Sequence, residues 1–165
     1  MDTVTLTIDG RQVTVEKGKT VLQAAIDAGI SVPYYCFHPG LKVDGSCRVC
    51  VVKIEKMGKL QTSCSTACAD GMVVHTRDAE VVEARTGVLE FLLVNHPLDC
   101  PVCDKGGECP LQDLTFRYGP GNTRMTFDKR TQEKPIPLSP TIALDRERCI
   151  LCYRCTRFSR SEERR

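Results

Sequence analysis

The residues best suited to chemistry in this chain are cysteines, and they are grouped. Of 11 cysteines in 165 residues, all but Cys68 fall into three sets. The first is Cys36, Cys47, Cys50 and Cys64. The second is Cys100, Cys103 and Cys109, with His96 just ahead. The third is Cys149, Cys152 and Cys155. Two residues between thiols let one tight loop aim both sulfurs at a single centre, a device used by zinc and iron-sulfur sites alike. An odd number of cysteines excludes a fully paired disulfide framework. The start, Met1-Asp2-Thr3-Val4, has no basic region followed by an apolar core, so no secretory signal is expected. Runs such as Leu92-Leu93-Val94 fall far short of the ~20 apolar residues of a membrane span. Thiols that stay in a reducing cytosol rarely form structural disulfides, which makes metal binding the leading reading.

The spacings differ in what they select. Cys36-x10-Cys47-x2-Cys50-x13-Cys64 has the order of a plant-type 2Fe-2S run, a cysteine, then Cys-x-x-Cys, then a distant fourth, with a longer first gap. Gly45 is expected to let the backbone turn close to inorganic sulfide. A zinc ribbon is the alternative, although it favours two Cys-x-x-Cys knuckles and this set has one. The second set, His96-x3-Cys100-x2-Cys103-x5-Cys109, lacks a fourth thiolate for a 4Fe-4S cluster, and the His96 imidazole can supply the missing bond. Neutral imidazole in place of thiolate removes one negative charge and favours the reduced state. Gly106-Gly107 are expected to wrap the cluster with positive φ angles. The third set, Cys149-x2-Cys152-x2-Cys155, opens a bacterial 4Fe-4S run, but no cysteine follows it. Cys68 is read as a small buried residue, His38 as a loop residue and His75 as a solvated side chain at a strand end.

The elements that must position these ligands can be read next. Val4, Leu6 and Ile8 alternate with threonines, Asp9-Gly10 follows, and Val13 and Val15 alternate again, which predicts a hairpin with a two-residue turn. Thr20 with Gln23 makes a capping box for a helix with Val21, Leu22, Ala24, Ala25 and Ala28 on its apolar face, ended by Gly29. Pro33 to Ser46 is irregular, and strands are expected near 49–55, 59–62 and 72–76. Asp78 can cap a second helix with Val81, Val82, Val88, Leu89 and Leu92 on one stripe, ending near Asn95. From there to Tyr118 the chain reads as loop. Thr123–Thr131 reads as a strand or hairpin, and Lys134–Pro140, with three prolines, as an extended connector. Leu144 to Arg165 is a cysteine cluster followed by a charged tail.

Four strings, YYCFHPGLKVDGSCRVCVV, SCSTACADGMVV, NHPLDCPVCDKGGECPLQDLTFRYG and LDRERCILCYRCTRF, carry a family resemblance. Together they resemble the N-terminal part of the large iron-sulfur subunit of respiratory NADH:quinone oxidoreductase (complex I), known as the G subunit in bacteria and the 75 kDa subunit in mitochondria. The resemblance implies an α+β chain. A β-grasp 2Fe-2S ferredoxin domain over 1–78 would use Cys36, Cys47, Cys50 and Cys64. A small helical 4Fe-4S domain over 79–119 would use His96, Cys100, Cys103 and Cys109. A linker or hairpin over 120–140 would lead to the start of a 4Fe-4S ferredoxin-type domain over 141–165, using Cys149, Cys152 and Cys155 for a second 4Fe-4S cluster. In the family a fourth cysteine and a large molybdopterin-oxidoreductase-like domain follow. Here Ser159-Arg160-Ser161-Glu162-Glu163-Arg164-Arg165 replaces the usual continuation, so a truncated or frame-shifted product is expected.

The implied function is one-electron transfer, from flavin reduced by NADH on a partner subunit, through iron-sulfur clusters, toward quinone. The implied partners are that flavin- and NADH-binding subunit and other peripheral-arm subunits. The implied location is the cytoplasmic face of the inner membrane, reached only through those partners. No catalytic residues are expected on this chain, and no Gly-x-Gly-x-x-Gly or phosphate loop is present to bind a nucleotide. A net charge of +2 gives no reason to expect nucleic acid. Three alternatives stand beside this reading: a diaphorase-type iron-sulfur subunit of an NAD-reducing hydrogenase or NAD-dependent formate dehydrogenase, a structural zinc-binding module, and a non-functional fragment.

Overall fold

The computed structural model describes residues 2–162, with side chains through Arg160; Glu163, Arg164 and Arg165 of the expected charged tail lie outside the described residues. Two compact units are present. One comprises the chain up to Arg85 together with the stretch from Tyr153 onward, and the other is Thr86–Cys152.

The first unit is a mixed sheet with a helix. Strands β1 (Thr3–Ile8) and β2 (Arg11–Glu16) form the expected hairpin, with Val4 opposite Val15 and Leu6 opposite Val13. Period-2 alternation therefore puts one apolar set on one face, and Leu6 and Ile8 are almost fully buried. The turn has φ +48° at Asp9 and +81° at Gly10, a primed geometry that matches strand twist. The Asp9 carboxylate accepts the Thr76 amide at 2.7 Å and the Thr76 hydroxyl, tying the turn to the end of β5 (Val73–His75). Together with β3 (Val51–Ile54) and β4 (Gln61–Thr62), the sheet runs β2-β1-β5-β3-β4. Its β1–β5 pair is parallel and the others antiparallel. Helix α1 (Val21–Asp27) starts at the expected capping box, in which Thr20 Oγ1 accepts the Gln23 amide and Gln23 Oε1 accepts the Thr20 amide. Val21, Leu22, Ala24 and Ala25 are buried from solvent in the sheet core, and Gly29 follows with φ +70°.

Helix α2 (Ala79–Leu93) begins where Asp78 accepts the Glu80 amide at 3.0 Å, as the capping role predicts. Its buried stripe is not the all-aliphatic one. Val81 and Leu89 are fully buried, but Val82 is 50% exposed, and between the two buried positions stands Arg85, only 4% exposed. Spacing of i, i+4, i+8 puts Val81, Arg85 and Leu89 on one face. Arg85 is accommodated there because its guanidinium donates to the carbonyls of Val49 (3.3 Å), Val51 (3.0 Å) and Thr76 (3.3 Å).

The second unit departs from expectation in three places. The stretch before Tyr118 is not all loop: a 3-10 turn spans Cys100–Val102, and α3 spans Pro110–Tyr118. Proline at the first position, Asp113 in the first turn and Arg117 in the last suit a helix, and Leu111 anchors it. Thr123–Thr131 forms neither strand nor hairpin, because its polar groups are engaged elsewhere in the unit. Lys129 donates to the carbonyls of Leu93 (2.7 Å) and Val94 (3.1 Å), and the Arg130 amide donates to Asn95. The expected connector Lys134–Pro140 contains β6 (Ile136–Pro137), which pairs antiparallel with β7 (Ala143–Leu144). The stretch after Cys152 is helical as well, as α4 (Arg154–Glu162) of the first unit.

Two expected outcomes follow from this architecture. Arg85→Met removes three buried charge-assisted donors and should destabilise the protein by about 3 kcal/mol, read from the urea midpoint. In the second unit, Lys134 bridges Asp99 (2.7 Å) and Glu147, while Arg148 reaches Asp99 (3.3 Å) and Asp145 (3.0 Å). The Lys134 hydrogen bond holds the Asp99 carboxyl below its ordinary range, and Asp99 and Glu147 together push Lys134 up to about 12. The Asp99 contribution is complete above its unfolded value of ~3.9 and is lost as pH falls through the lower folded value. The Lys134 contribution is complete below its unfolded ~10.4 and is lost as pH rises through about 12. Amide exchange in β6 and β7, corrected for intrinsic rate, should accelerate below about pH 4. Asp99→Asn should weaken that acid response, and an unaltered response would refute the assignment.

Candidate metal centres

The first set of cysteines lies within the first unit, and the sheet explains how. Cys50 immediately precedes β3, and Cys64 follows β4 by one residue. Because Val51 faces Thr62, the two cysteines arrive at the same end of the ladder. Ser63 fixes that end, since its amide (3.1 Å) and buried hydroxyl (2.7 Å) both donate to the Cys50 carbonyl. The Leu22 amide of α1 donates to the Ser63 carbonyl at 2.9 Å, which ties the Cys64 segment to the helix. Cys36 and Cys47 come from the irregular stretch after α1. Gly45 turns there with φ +75°, as its expected role requires, and between Cys47 and Cys50 Arg48 adopts φ +58°. A non-glycine residue in the left-handed region costs energy and is concentrated at functional sites.

Cys36, Cys50 and Cys64 are buried and Cys47 is half-buried. Their thiols form a chain of neighbours, Cys47 beside Cys36, Cys36 beside Cys64, and Cys64 beside Cys50. Among the described residues no three His, Cys, Asp or Glu side chains are placed to hold a single metal ion. A linked row of four sulfurs has the donor chemistry of a two-iron cluster, in which each iron takes two of them. Thiol–thiol hydrogen bonding lowers the pKa of Cys36, chiefly through Cys47, and brings Cys50 down to about 6, chiefly through Cys64. The same contacts raise Cys47 and Cys64. The Cys36 amide donates to Cys47 Sγ at 3.3 Å.

The second set gathers in the second unit. His96, Cys100, Cys103 and Cys109 all line one cavity of about 210 Å³, with Gly106, Leu111, Phe116 and Arg148 among its other walls. That volume is far above the ~10–15 Å³ a single water needs. The 3-10 turn presents Cys100, Cys103 ends it, and Cys109 caps α3. The two glycines serve different needs. Gly107 has φ +85°, whereas Gly106 is not in the left-handed region, contrary to expectation. A Cβ on Gly106 would stand 2.8 Å from the Cys100 carbonyl oxygen and 3.1 Å from that of Cys103. Burial holds the His96 imidazole below its ordinary pKa, and the Lys129 charge adds to this. Imidazole is therefore favoured as the neutral, metal-ligating form. Three thiols, one imidazole and a cavity fit a four-iron cluster.

The third set is divided. Cys149 and Cys152 belong to the second unit, and Cys155 sits on α4 of the first. Leu151 (φ +56°) and Tyr153 (φ +57°) flank Cys152 in the left-handed region. Neither they nor Arg48 carried a signal in the sequence, because only the observed backbone shows that a non-glycine residue has been placed there. Cys68 packs in the sheet core, and burial raises its thiol pKa. His38 serves its loop by accepting the Gly40 amide at 3.1 Å, and His75 lies at the end of β5 beside Glu55 at 3.1 Å.

Comparison with known proteins places both stretches within iron-sulfur binding regions. Residues 1–79 match the family model of a 2Fe-2S iron-sulfur cluster binding domain. Residues 85–124 match the model of the NADH-ubiquinone oxidoreductase-G iron-sulfur binding region. The chain is 54% identical to the G subunit of NADH-quinone oxidoreductase from Streptomyces coelicolor over 96% of its own length and 19% of that relative. It is 53% identical to the same protein of Mycobacterium tuberculosis (94% and 20%) and 49% identical to that of Rickettsia typhi (94% and 23%). It thus spans about a fifth of the length of these relatives. A crystal structure of an NAD+-reducing [NiFe]-hydrogenase in the H2-reduced state superposes with a TM-score of 0.85 at 36% identity, covering 96% of this chain and 67% of that one. A 2Fe-2S domain joined to a 4Fe-4S region, with sequence identity spread over nearly the whole chain, makes it a member of the family of iron-sulfur proteins formed by the G subunits of NADH-quinone oxidoreductases.

Proposed function

We propose that the chain is an iron-sulfur electron-transfer subunit of an NADH:quinone oxidoreductase, passing single electrons from NADH-reduced flavin on a partner subunit toward quinone. The observation that carries this is the pair of donor sets, four neighbouring thiols in one unit and a His/Cys3-lined cavity in the other. Cys36, Cys47, Cys50 and Cys64 would hold the 2Fe-2S cluster. His96, Cys100, Cys103 and Cys109 would hold the 4Fe-4S cluster. The row of thiols suggests Cys36 with Cys47 on one iron and Cys50 with Cys64 on the other. The clusters, when bound, accept and release one electron at a time with little rearrangement. The chain's own residues supply the sulfur and nitrogen donors, the Cys36 backbone N–H toward Cys47 Sγ, a neutral imidazole at His96, and burial that limits water.

The domain arrangement that accompanies this reading is a β-grasp ferredoxin domain over 1–78, a helical His/Cys3 domain over 79–119, a linker over 120–140 and a ferredoxin-type segment over 141–165. Cys149, Cys152 and Cys155 would be ligands of a second 4Fe-4S cluster. Peripheral-arm subunits, including the one that binds flavin and NADH, would be its partners at the cytoplasmic face of the membrane. No helix among the described residues is long and apolar enough to cross a membrane. The likeness to the NAD+-reducing hydrogenase favours a second reading, a diaphorase-type iron-sulfur subunit. Subunits that co-purify with the native chain distinguish the two.

Iron and acid-labile sulfide per chain test the metal content. About six of each are expected for one two-iron and one four-iron cluster, and about ten if the third set also closes a cluster. A colourless, zinc-loaded protein would overturn the electron-transfer reading. His96→Ala should alter one 4Fe-4S signal in electron paramagnetic resonance and leave the 2Fe-2S signal intact. If every signal persists unchanged, His96 is not a ligand.

A further inference from the structure

The backbone that carries the first site's ligands is held by arginines through its carbonyl groups. From α4, Arg157 donates Nη2 to the Cys36 carbonyl and Nη1 to the Lys42 carbonyl. One turn earlier, Arg154 donates to the carbonyls of Tyr35 and Phe37, the latter at 2.8 Å, and its guanidinium carbon lies 5.8 Å from the centroid of the Tyr35 ring. From α2, Arg85 donates Nε to the Val49 carbonyl at 3.3 Å and Nη2 to the Val51 carbonyl at 3.0 Å. The Cys36 amide donates to Cys47 Sγ at 3.3 Å. That N–H shares its planar peptide group with the Tyr35 carbonyl, which is the carbonyl Arg154 holds. All of these groups belong to the first unit, although α4 follows Cys36 by more than a hundred residues.

We propose that Arg154 is a positioning residue that holds the Tyr35–Cys36 peptide with its amide on Cys47 Sγ, and thereby raises the reduction potential of the 2Fe-2S site. The proposal rests on the reading of Cys36, Cys47, Cys50 and Cys64 as its ligands. Its physical basis is charge. One-electron reduction adds a negative charge that spreads over the thiolate sulfurs, and N–H donors aimed at a sulfur stabilise that state more than the oxidised one. A loop carbonyl left to water would let the attached peptide rotate, and the N–H···S bond would lengthen. A guanidinium resists this because its planar N–H groups hold two acceptors at once, as Arg154 Nη2 does with the Tyr35 and Phe37 carbonyls. Partners outside the ligand shell that orient first-shell groups tune metal sites in this way.

The test uses the full chain with its clusters, in an anaerobic redox titration followed through the 2Fe-2S paramagnetic signal. In Arg154→Gln, the oxidised-to-reduced ratio at the native midpoint should rise about tenfold, a fall of ~59 mV for a one-electron couple. Arg154→Lys should shift in the same direction, because an ammonium keeps the charge but not the planar geometry. Arg160→Gln removes an equal charge from the last turn of the same helix and should leave the midpoint in place. An unchanged midpoint in Arg154→Gln overturns the proposal, and so does an equal shift in Arg160→Gln, which would mark a general charge effect. Should Arg154→Gln fail to hold the cluster, the Arg154→Lys midpoint decides by the same criterion. Absence of a 2Fe-2S signal from the native chain would instead refute the ligand assignment itself.

Discussion

Placing several sulfurs side by side inside a small protein creates an electrostatic problem that the rest of the first unit answers. Thiolates in contact repel, and burial penalises each charge further. Cys36, Cys50 and Cys64 are nevertheless among the least exposed residues of the chain. Positive partial charge must therefore reach them from the backbone, which requires peptide groups held with their amides turned inward. The ladder between β3 and β4 does this for Cys50 and Cys64, with Ser63 pinning the intervening backbone. No ladder exists around Cys36 and Cys47, and there side chains from two helices take over the holding of the backbone.

The two units meet the demand for preorganised donors by different routes. The first has an apolar core, formed by the hairpin, α1 and the inner faces of β3 and β5, and its ligand segments hang from that core. The second has few buried side chains of its own, chiefly Leu89 and Leu111. It depends instead on polar ties: Lys129 on the last carbonyls of α2, Lys134 between Asp99 and Glu147, and Arg148 between Asp99 and Asp145. A small domain with a thin core commonly relies on a bound metal or cross-links for its stability, and this unit presents the donors for one.

Much of this was legible in the residues because the signals were local and chemical. Cysteine spacing pointed to both donor sets. Alternating valines and Asp9-Gly10 marked the hairpin, and Thr20 with Gln23 marked the start of α1. What escaped was tertiary. Nothing in the order of residues distinguishes Arg85 from an exposed helix arginine, because its burial depends on three carbonyls from distant strands. Helix α3 was obscured by the turn-forming residues ahead of it, although Pro110 suits a first position as well as a loop. Val82 was assigned to the apolar stripe by its type alone, whereas the position of Arg85 shows that the stripe is narrower. The left-handed Arg48, Leu151 and Tyr153 lie beyond any propensity, since each is imposed by its surroundings.

The first unit is discontinuous, closed by a helix that the ribosome makes after the second unit. At ~5–20 residues per second, roughly 5–25 s separate the emergence of the Cys36 loop from that of Arg154 and Arg157. During that interval the hairpin, α1 and the later strands can already form, while the carbonyls of Tyr35, Cys36 and Phe37 remain bound to water. Biosynthesis thus contains a period in which the loop is still pliant and its thiols are open to solvent, followed by a locking step supplied by a later stretch of the same polypeptide.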